Sequence, residues 1–457
     1  MRSHFHDNSH WGRFPSDVAT LFAAVYGDGL ARWLGTAFAA SDDDPEAAQA
    51  EREGGRGEGE SWQSRLFLQK SGAGSEAGSG SGSAVGAGSG SGLALKLPPA
   101  KTPAALGLPR VAAFDSGDNF IRSGWEDNGV VLALNNAGPT KTRYTHHHAC
   151  RNSFVLAAHG EYLVVSPGSF SYRSPKHLTY DLSTRAQNTV EIDGKSQLLP
   201  GGGKARHAMN GQPVAKTTLA VEGRAVDVLA SDATGAYGQP HKRIARVVIY
   251  ARGGREGREG REAGYFVIFD RLEEPADGAA HSYAWRLHFN NRDGAALFSR
   301  ANGGASAAAG ATRGEGGEAW FLCRPKAGLE IVVGNENGNG TELDTSVGEA
   351  YMHGRGRDYA PGGANEGKPG SAIEFTVRNR EKSAGMDFVA VLRPVAGTTA
   401  DDTPVPLPVV LPVMLPVVLA DGKVRVGDDV FTLRGNTLAS TVGGVTEQFT
   451  VWPQRQP

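Results

Sequence analysis

The chain has 457 residues, enough for two or three domains at roughly 150 residues each. Its 47 Lys and Arg residues nearly balance 49 Asp and Glu residues, so bulk charge does not indicate a nucleic-acid binder, and an anionic ligand would need a local basic patch. Two cysteines exclude a disulfide framework and a four-cysteine zinc module.

The first 40 residues predict a short helical hairpin. Val18, Leu21, Phe22 and Val25 recur at helical spacing, and the pattern resumes over 30–37 after two glycines. Two such helices cannot bury their apolar faces on each other alone, so they need further helices or a sheet. Residues 41–104 follow as a low-complexity linker, with an acidic run and then a Gly/Ser/Ala tract that cannot offset its ordering entropy.

From about 105 to 400 the apolar period changes to two, which predicts strands. No helix-length pattern intervenes, so we expect a mainly β protein built on a large antiparallel β-sandwich. The Arg/Gly/Glu repeat of 252–264 predicts an expanded hairpin loop. The predicted strands include Val130–Leu134, Phe154–Ala157, Tyr162–Val165, Thr189–Ile192, Arg246–Tyr250, Tyr265–Phe269, Ile331–Val333, Ile373–Val377 and Phe388–Leu392.

Residues 401–457 predict a Pro-rich connector and a terminal β-hairpin around Gly427–Asp429. The longest charge-free apolar stretch, 403–420, contains five prolines, which remove backbone donors that a membrane-spanning helix needs. The N-terminus also has no apolar secretory leader. We therefore expect no membrane span, and either a cytoplasmic protein or a chain that has lost its true beginning.

Basic and titratable residues are concentrated between Lys141 and Asn188. This window contains six Lys or Arg residues but only two acidic residues, and it also contains five of the 13 histidines. This suits an anionic ligand and proton transfer, although a solvated basic face is the alternative. His146, His148 and Cys150 alternate, so an extended chain would project them on one face, as a metal or acid/base site requires.

An ordered series of motifs resembles the C-terminal β-domain of the heparinase II/III-like polysaccharide lyases. The series begins with the run His146–Phe154, continues through 164–168 to Tyr172, and ends with the stretch from Ser183 to Gly194. The family pattern reads approximately H-x-H-x-D-x-x-S-F, then D-P-G-x-x-x-Y, then S-T-x-x-H-N-T-V with D-G beyond. The resemblance covers about 105–300 well.

The resemblance implies β-elimination on uronic-acid polysaccharides. Such cleavage needs neutralisation of the uronate carboxylate, a base for the adjacent proton and an acid for the leaving oxygen. It assigns His146 the catalytic or carboxylate-neutralising role, and we predict Arg151, Asn152, Tyr172 and Arg185 as substrate-binding residues. For Tyr172, packing at a sandwich edge is the alternative.

The family zinc site is altered in this sequence. His148 occupies a zinc-ligand position, but Ser166 replaces the Asp of D-P-G and Gln187 replaces the His of H-N. A hydroxyl and an amide are poor zinc ligands, so we expect no bound zinc and no other cofactor. Cys150 replaces the Asp of H-x-H-x-D; a makeshift site with His146 and His148 and a buried thiol are its two interpretations.

Three hypotheses follow from these observations. The first is a lyase of the heparinase II/III type, with residues 1–40 as the remnant of an α/α toroid that supplies the other catalytic groups in the family. The second is an inactive β-sandwich, or a fragment of a larger lyase, that binds acidic glycan. The third is a scaffold without a sugar ligand. The resemblance implies a location in the cell envelope, the periplasm or outside the cell, and an acidic polysaccharide as partner.

Overall fold

The computed structural model describes residues 99–126, 129–136, 148–166, 174–198, 215–238, 240–253, 264–275, 277–291, 294–300, 318–335, 342–351, 369–397, 417–420 and 422–453. The predicted helical hairpin, most of the linker and most of the Pro-rich connector lie outside these residues; the last four residues of the stretch 403–420 are described and form a strand, Val417–Ala420. The chain divides into two compact units, Trp11–Leu108 and the remainder. In the first, the described part contains a turn in which Gly107 N donates to Ala104 O (3.0 Å).

Strands dominate the second unit. In chain order the described strands are β1 Val111–Ala113, β2 Asp118–Arg122, β3 Val131–Asn135, β4 Ser153–Ala158, β5 Glu161–Val164, β6 Val190–Ile192, β7 Lys216–Glu222, β8 Val226–Asp232, β9 His241–Ala251, β10 Tyr265–Pro275, β11 Tyr283–Asn290, β12 Leu297–Arg300, β13 Glu318–Cys323, β14 Ala327–Gly334, β15 Leu343–Tyr351, β16 Pro369–Asn379, β17 Met386–Ala396, β18 Val417–Ala420, β19 Lys423–Val426, β20 Asp429–Arg434, β21 Thr437–Val442 and β22 Val445–Thr450. A short π-helix, His177–Asp181, and two 3₁₀ turns, Thr184–Ala186 and Thr234–Ala236, lie between strands.

These strands form three antiparallel sheets. The first has nine strands in the order β1-β2-β3-β4-β5-β11-β16-β15, with β6 also paired to β11. The second has eight strands in the order β12-β13-β14-β17-β10-β9-β8-β7, and the third is a five-stranded meander, β18 to β22. In the described part of the chain, no helix is long and apolar enough to cross a membrane.

Two hydrophobic cores join the sheets into three layers. The larger core lies between the first and second sheets, and a second core lies between the second and third sheets. Strand β9 contributes to both, because Val248 and Tyr250 face the first core while Val247 and Ile249 face the second. Successive strand residues point to opposite faces, so a strand covered on both sides is apolar almost throughout.

The mainly β fold class and the large antiparallel sandwich are confirmed. All nine strands predicted between 130 and 392 are present, several of them longer than predicted. The Arg/Gly/Glu repeat falls between β9 and β10, whose pairing begins with Ala251 opposite Tyr265, and residues 254–263 lie outside the described ranges. The hairpin around Gly427–Asp429 is also present, as β19 and β20, but it belongs to the five-stranded third sheet.

Candidate functional site

The chain entering β4 is folded tightly. Asn152 adopts a left-handed backbone conformation (φ 61°), which turns the chain into the strand. Arg151 Nη1 donates to His148 O (2.8 Å), and the Gln197 side chain bonds both the N–H and the carbonyl of Arg151 (2.7 and 2.9 Å). Four residues of this segment are buried: His148, Cys150, Arg151 and Asn152. Two predicted substrate-binding residues, Arg151 and Asn152, therefore lie beneath the surface.

The motif ending in Gln187-Asn188 runs beside this segment. Ala149 N donates to Leu182 O (2.9 Å), and Thr184 Oγ1 donates to Ala149 O (2.9 Å). The structure thus brings the two sequence motifs together although more than thirty residues separate them. His146 and Tyr172 lie outside the described residues, so the predicted catalytic position and one predicted sugar contact have no described geometry.

The residues at the family's zinc positions do not suit that metal. Gln187 is fully buried, and its Nε2 donates to Asp181 O (3.1 Å). Ser166 is buried as well, and its hydroxyl is a poor zinc ligand. His177 and Asp181 form a buried pair (Nδ1 to Oδ2 3.2 Å), yet no three His, Cys, Asp or Glu side chains in the described ranges are arranged to hold a metal. The donors at Ser166 and Gln187 therefore do not suit zinc, and the predicted absence of bound zinc stays a prediction.

A buried arginine fixes both motif segments from inside the sandwich. Arg246 forms a two-point ion pair with Asp270 (2.7 and 2.8 Å), and its Nη1 donates to Asn188 O (2.9 Å) and to Asn152 O. Trp285 Nε1 donates to the same carboxylate (2.8 Å). No local pattern in the sequence marks Arg246 as the partner of Asp270 and Trp285, because these residues lie on separate strands.

Asn188 makes a second set of links. Its Nδ2 donates to the carbonyls of Phe154 and Val165 (both 2.8 Å), and its Oδ1 accepts from the backbone N–H of His288 (2.7 Å). One amide therefore joins β4, β11 and the segment after β5. This explains physically why an asparagine suits this place in the motif.

A groove crosses the outer face of the first sheet, with a volume of about 560 Å³. Pairing places Ala284 opposite Arg378, and Arg286 opposite Thr376. On β15, Ser346 lies opposite Thr376 and Gly348 lies opposite Glu374. Small residues form the floor of the groove, and the charged residues Arg185, Glu191, Arg286, Glu374 and Arg378 line it. Glu349 also belongs to the lining, but it pairs with Ile373, so its side chain points to the opposite face of the sheet.

The three arginines of the groove differ in availability. Arg286 is buried between Glu191 (2.7 Å) and Glu374, and it also donates to Thr376 Oγ1 (2.9 Å), so its charge is satisfied internally. The Arg185 side chain is 62% exposed and lies 3.9 Å from Glu374. Arg378 is exposed and makes no ion pair with another described residue. Of the three arginines, Arg185 and Arg378 are therefore the two that are exposed and accessible to an anionic ligand.

Two neutral titratable side chains, His288 and Tyr180, lie near the groove residue Glu374. His288 is fully buried, with Nε2 3.9 Å from Glu374 Oε2, and burial lowers its pKa to about 4. Burial also raises the pKa of Tyr180 far above its usual range. The Tyr180 ring packs against the Tyr351 ring, with 5.1 Å between their centroids. The Lys176 ammonium lies 4.1 Å from the centroid of the same Tyr351 ring. Neither His288 nor Tyr180 is charged near neutral pH.

The model of the family described as heparinase II/III-like, C-terminal, matches residues 107–358, more than half of the chain. The chain belongs to the heparinase II/III-like family. This confirms the resemblance drawn from the motifs between His146 and Gly194.

Among curated proteins, none matches the sequence. Solved structures similar to this chain include the heparan sulfate lyase HepC from Pedobacter heparinus, with 16% identity over 76% of this chain and 44% of that chain, at a TM-score of 0.45. A crystal structure of heparinase III has 14% identity over 77% of this chain and 43% of that chain, also at a TM-score of 0.45. The chain thus spans less than half the length of these proteins.

Proposed function

We propose that this chain is a polysaccharide lyase of the heparinase II/III type, which cleaves uronic-acid glycans by β-elimination. The observation that carries the proposal is the placement of Arg185. The segment 182–185 is hydrogen-bonded to Ala149, which directly follows the H-x-H motif. The exposed guanidinium of Arg185 lies at the groove. A groove of about 560 Å³ is within the usual range for ligand sites.

In this proposal the residues divide the chemistry of elimination. Arg185 pairs with the uronate carboxylate and withdraws charge from it, which makes the proton on the adjacent ring carbon more acidic. His146 takes part in moving that proton or in neutralising the carboxylate. Arg151 and Asn152 act indirectly, because Arg151 Nη1 donates to the carbonyl of His148 and Asn152 Oδ1 accepts from the Ser231 hydroxyl of β8, contacts that hold this segment in place. The acid for the leaving oxygen is assigned to the helical part that the family places before the sandwich.

A second candidate is an acidic-glycan-binding sandwich without catalysis. It is favoured by Ser166 and Gln187, which occupy positions of the family's zinc ligands with donors unsuited to that metal. We also propose, for either function, a location in the cell envelope, the periplasm or outside the cell, where acidic polysaccharides are met.

The deciding experiment follows ultraviolet absorbance while the purified chain acts on a panel of uronic-acid polysaccharides, because β-elimination leaves a conjugated unsaturated uronide. We expect a rise with at least one glycan. It should be lost in His146→Ala and kept in His147→Ala, the matched control from the neighbouring position. A flat trace with salt-sensitive glycan binding would support the binding sandwich instead. A flat trace without binding would contradict both proposals.

A further inference from the structure

The loop that carries Arg185 is closed by a buried side chain. Residues 181–187 form this loop, the Arg185 loop, which runs from the end of the π-helix to Gln187, the position of a zinc-binding histidine in the family pattern. Gln187 is fully buried, and its Nε2 donates to the carbonyl of Asp181, six residues earlier (3.1 Å). Because a carbonyl can only accept, the amide must present its N–H group here. Gln187 therefore joins the two ends of the loop directly.

The end of the π-helix explains why a donor is needed at this place. The last carbonyls of a helix have no partner within the helix. The carbonyl of Leu182 accepts from Ala149 N (2.9 Å), and the carbonyl of Asp181 accepts from Gln187. The Asp181 carboxylate lies against His177 (3.2 Å). Loss of the Gln187 amide would take a donor from a buried carbonyl, which opposes closure of the loop.

Arg185 is the exposed residue of this loop. Its neighbours Thr184 and Ala186 are fully buried, and Thr184 Oγ1 donates to Ala149 O (2.9 Å). Beyond the loop, the side chain of Asn188 is anchored to β4 and to the segment after β5. The backbone is thus held on both sides of Arg185, so closure of the loop sets where the guanidinium lies at the groove.

The residues around the loop do not offer zinc its usual ligands. Zinc takes imidazole, thiolate or carboxylate, whereas Ser166 and Gln187 supply a hydroxyl and an amide. The N–H end of the Gln187 amide faces the Asp181 carbonyl, and an N–H group cannot bind a cation.

We propose that Gln187 is a positioning residue, whose amide closes the Arg185 loop and places the Arg185 guanidinium without any metal ion. A hydrogen bond takes over in this chain the bracing that the family pattern gives to zinc. The inference rests on the proposed function only for the role of Arg185 toward a glycan, and the loop itself is tested without one.

The experiment is native-state proteolysis by trypsin, with the cleaved sites read by mass spectrometry. Cleavage after Arg185 requires the loop to open, and cleavage after Arg434, exposed at the end of β20, is the internal reference. Gln187→Met keeps the length of the side chain and removes the donor, so cleavage after Arg185 should be about tenfold faster relative to the reference, as loss of a buried hydrogen bond predicts. Gln448→Met makes the same change at an exposed position of β22 and is the matched control, which should behave as the parent chain.

Two further measurements separate positioning from general stability. EDTA or added zinc should leave the ratio of the two cleavage rates in the parent chain unchanged. If Gln187→Met does not fold, Gln187→Asn withdraws the amide by one methylene group and tests the same contact. With a glycan that the parent chain cleaves, Gln187→Met should slow cleavage, but it should have no further effect in an Arg185→Gln background.

An unchanged ratio of rates in Gln187→Met would overturn the inference, and so would equal acceleration after Arg185 and Arg434. A ratio that rises when EDTA is added to the parent chain would show that a metal holds the loop, with the same consequence. A full effect of Gln187→Met in the Arg185→Gln background would reject the positioning role. If the proteolysis follows expectation while no glycan is bound or cleaved, the loop inference stands and the proposed function fails.

Discussion

The substitution Asp270→Asn tests how much the ion pair inside the sandwich stabilises the fold. Asp270 accepts two hydrogen bonds from Arg246 (2.7 and 2.8 Å) and one from Trp285 (2.8 Å). The Arg246 and Asp270 side chains are 0% and 5% exposed. The asparagine amide has nearly the same shape as the aspartate carboxylate, but its N–H group would face the guanidinium or the indole, which are donors themselves. The substitution also leaves the buried positive charge of Arg246 without its negative partner.

Breaking a buried pair in this way costs about 3–5 kcal/mol. We therefore expect the free energy of unfolding, measured by urea denaturation at fixed pH and salt, to fall by about that amount. The matched control is Glu274→Gln on the same strand, which removes the partner of Lys242 at the surface and should leave the urea midpoint unchanged. A loss below about 1 kcal/mol for Asp270→Asn, the size found for surface pairs, would refute the reasoning.

Three further outcomes are expected. Because burial lowers the pKa of His288 from 6.5 to about 4, the unfolded chain binds a proton that the folded chain excludes, and the folded state loses about 3 kcal/mol as pH falls from 6.5 to 4. His288→Gln should flatten that part of the stability–pH curve in urea titrations, and parallel curves would contradict the assignment. Tyr265→Phe removes the donor to Asp429 Oδ2 (2.7 Å) between the second and third sheets, so the free energy of unfolding should fall by about 1–3 kcal/mol; an unchanged value would show that this contact does not stabilise the third sheet. Gly194→Ala at φ 65° should cost about 1–2 kcal/mol by calorimetry and Gly348→Ala far less, since neither Cβ would meet an atom within 4 Å; equal effects would show that backbone conformation is not the cause.

The sequence by itself determined the fold class, the family and most strand positions. Alternation of apolar residues is a local property of each strand, so it marked β9, β10, β16 and β17 without knowledge of their partners. The motifs from His146 to Gly194 are likewise contiguous, and they identified the family that the comparison confirms.

Only the tertiary structure decided the composition of the groove and the burial of the motif residues. Four groove residues lie on one face of the sheet because β6, β11, β16 and β15 pair in the observed register: Glu191, Arg286, Ser346 and Arg378. No local pattern in one strand specifies its pairing with strands that are so distant in sequence. Charge in the sequence suggested that Arg151 would face a ligand. The fold buries Arg151 against His148 O, because exposure depends on which elements pack over a segment rather than on the charge of its side chains.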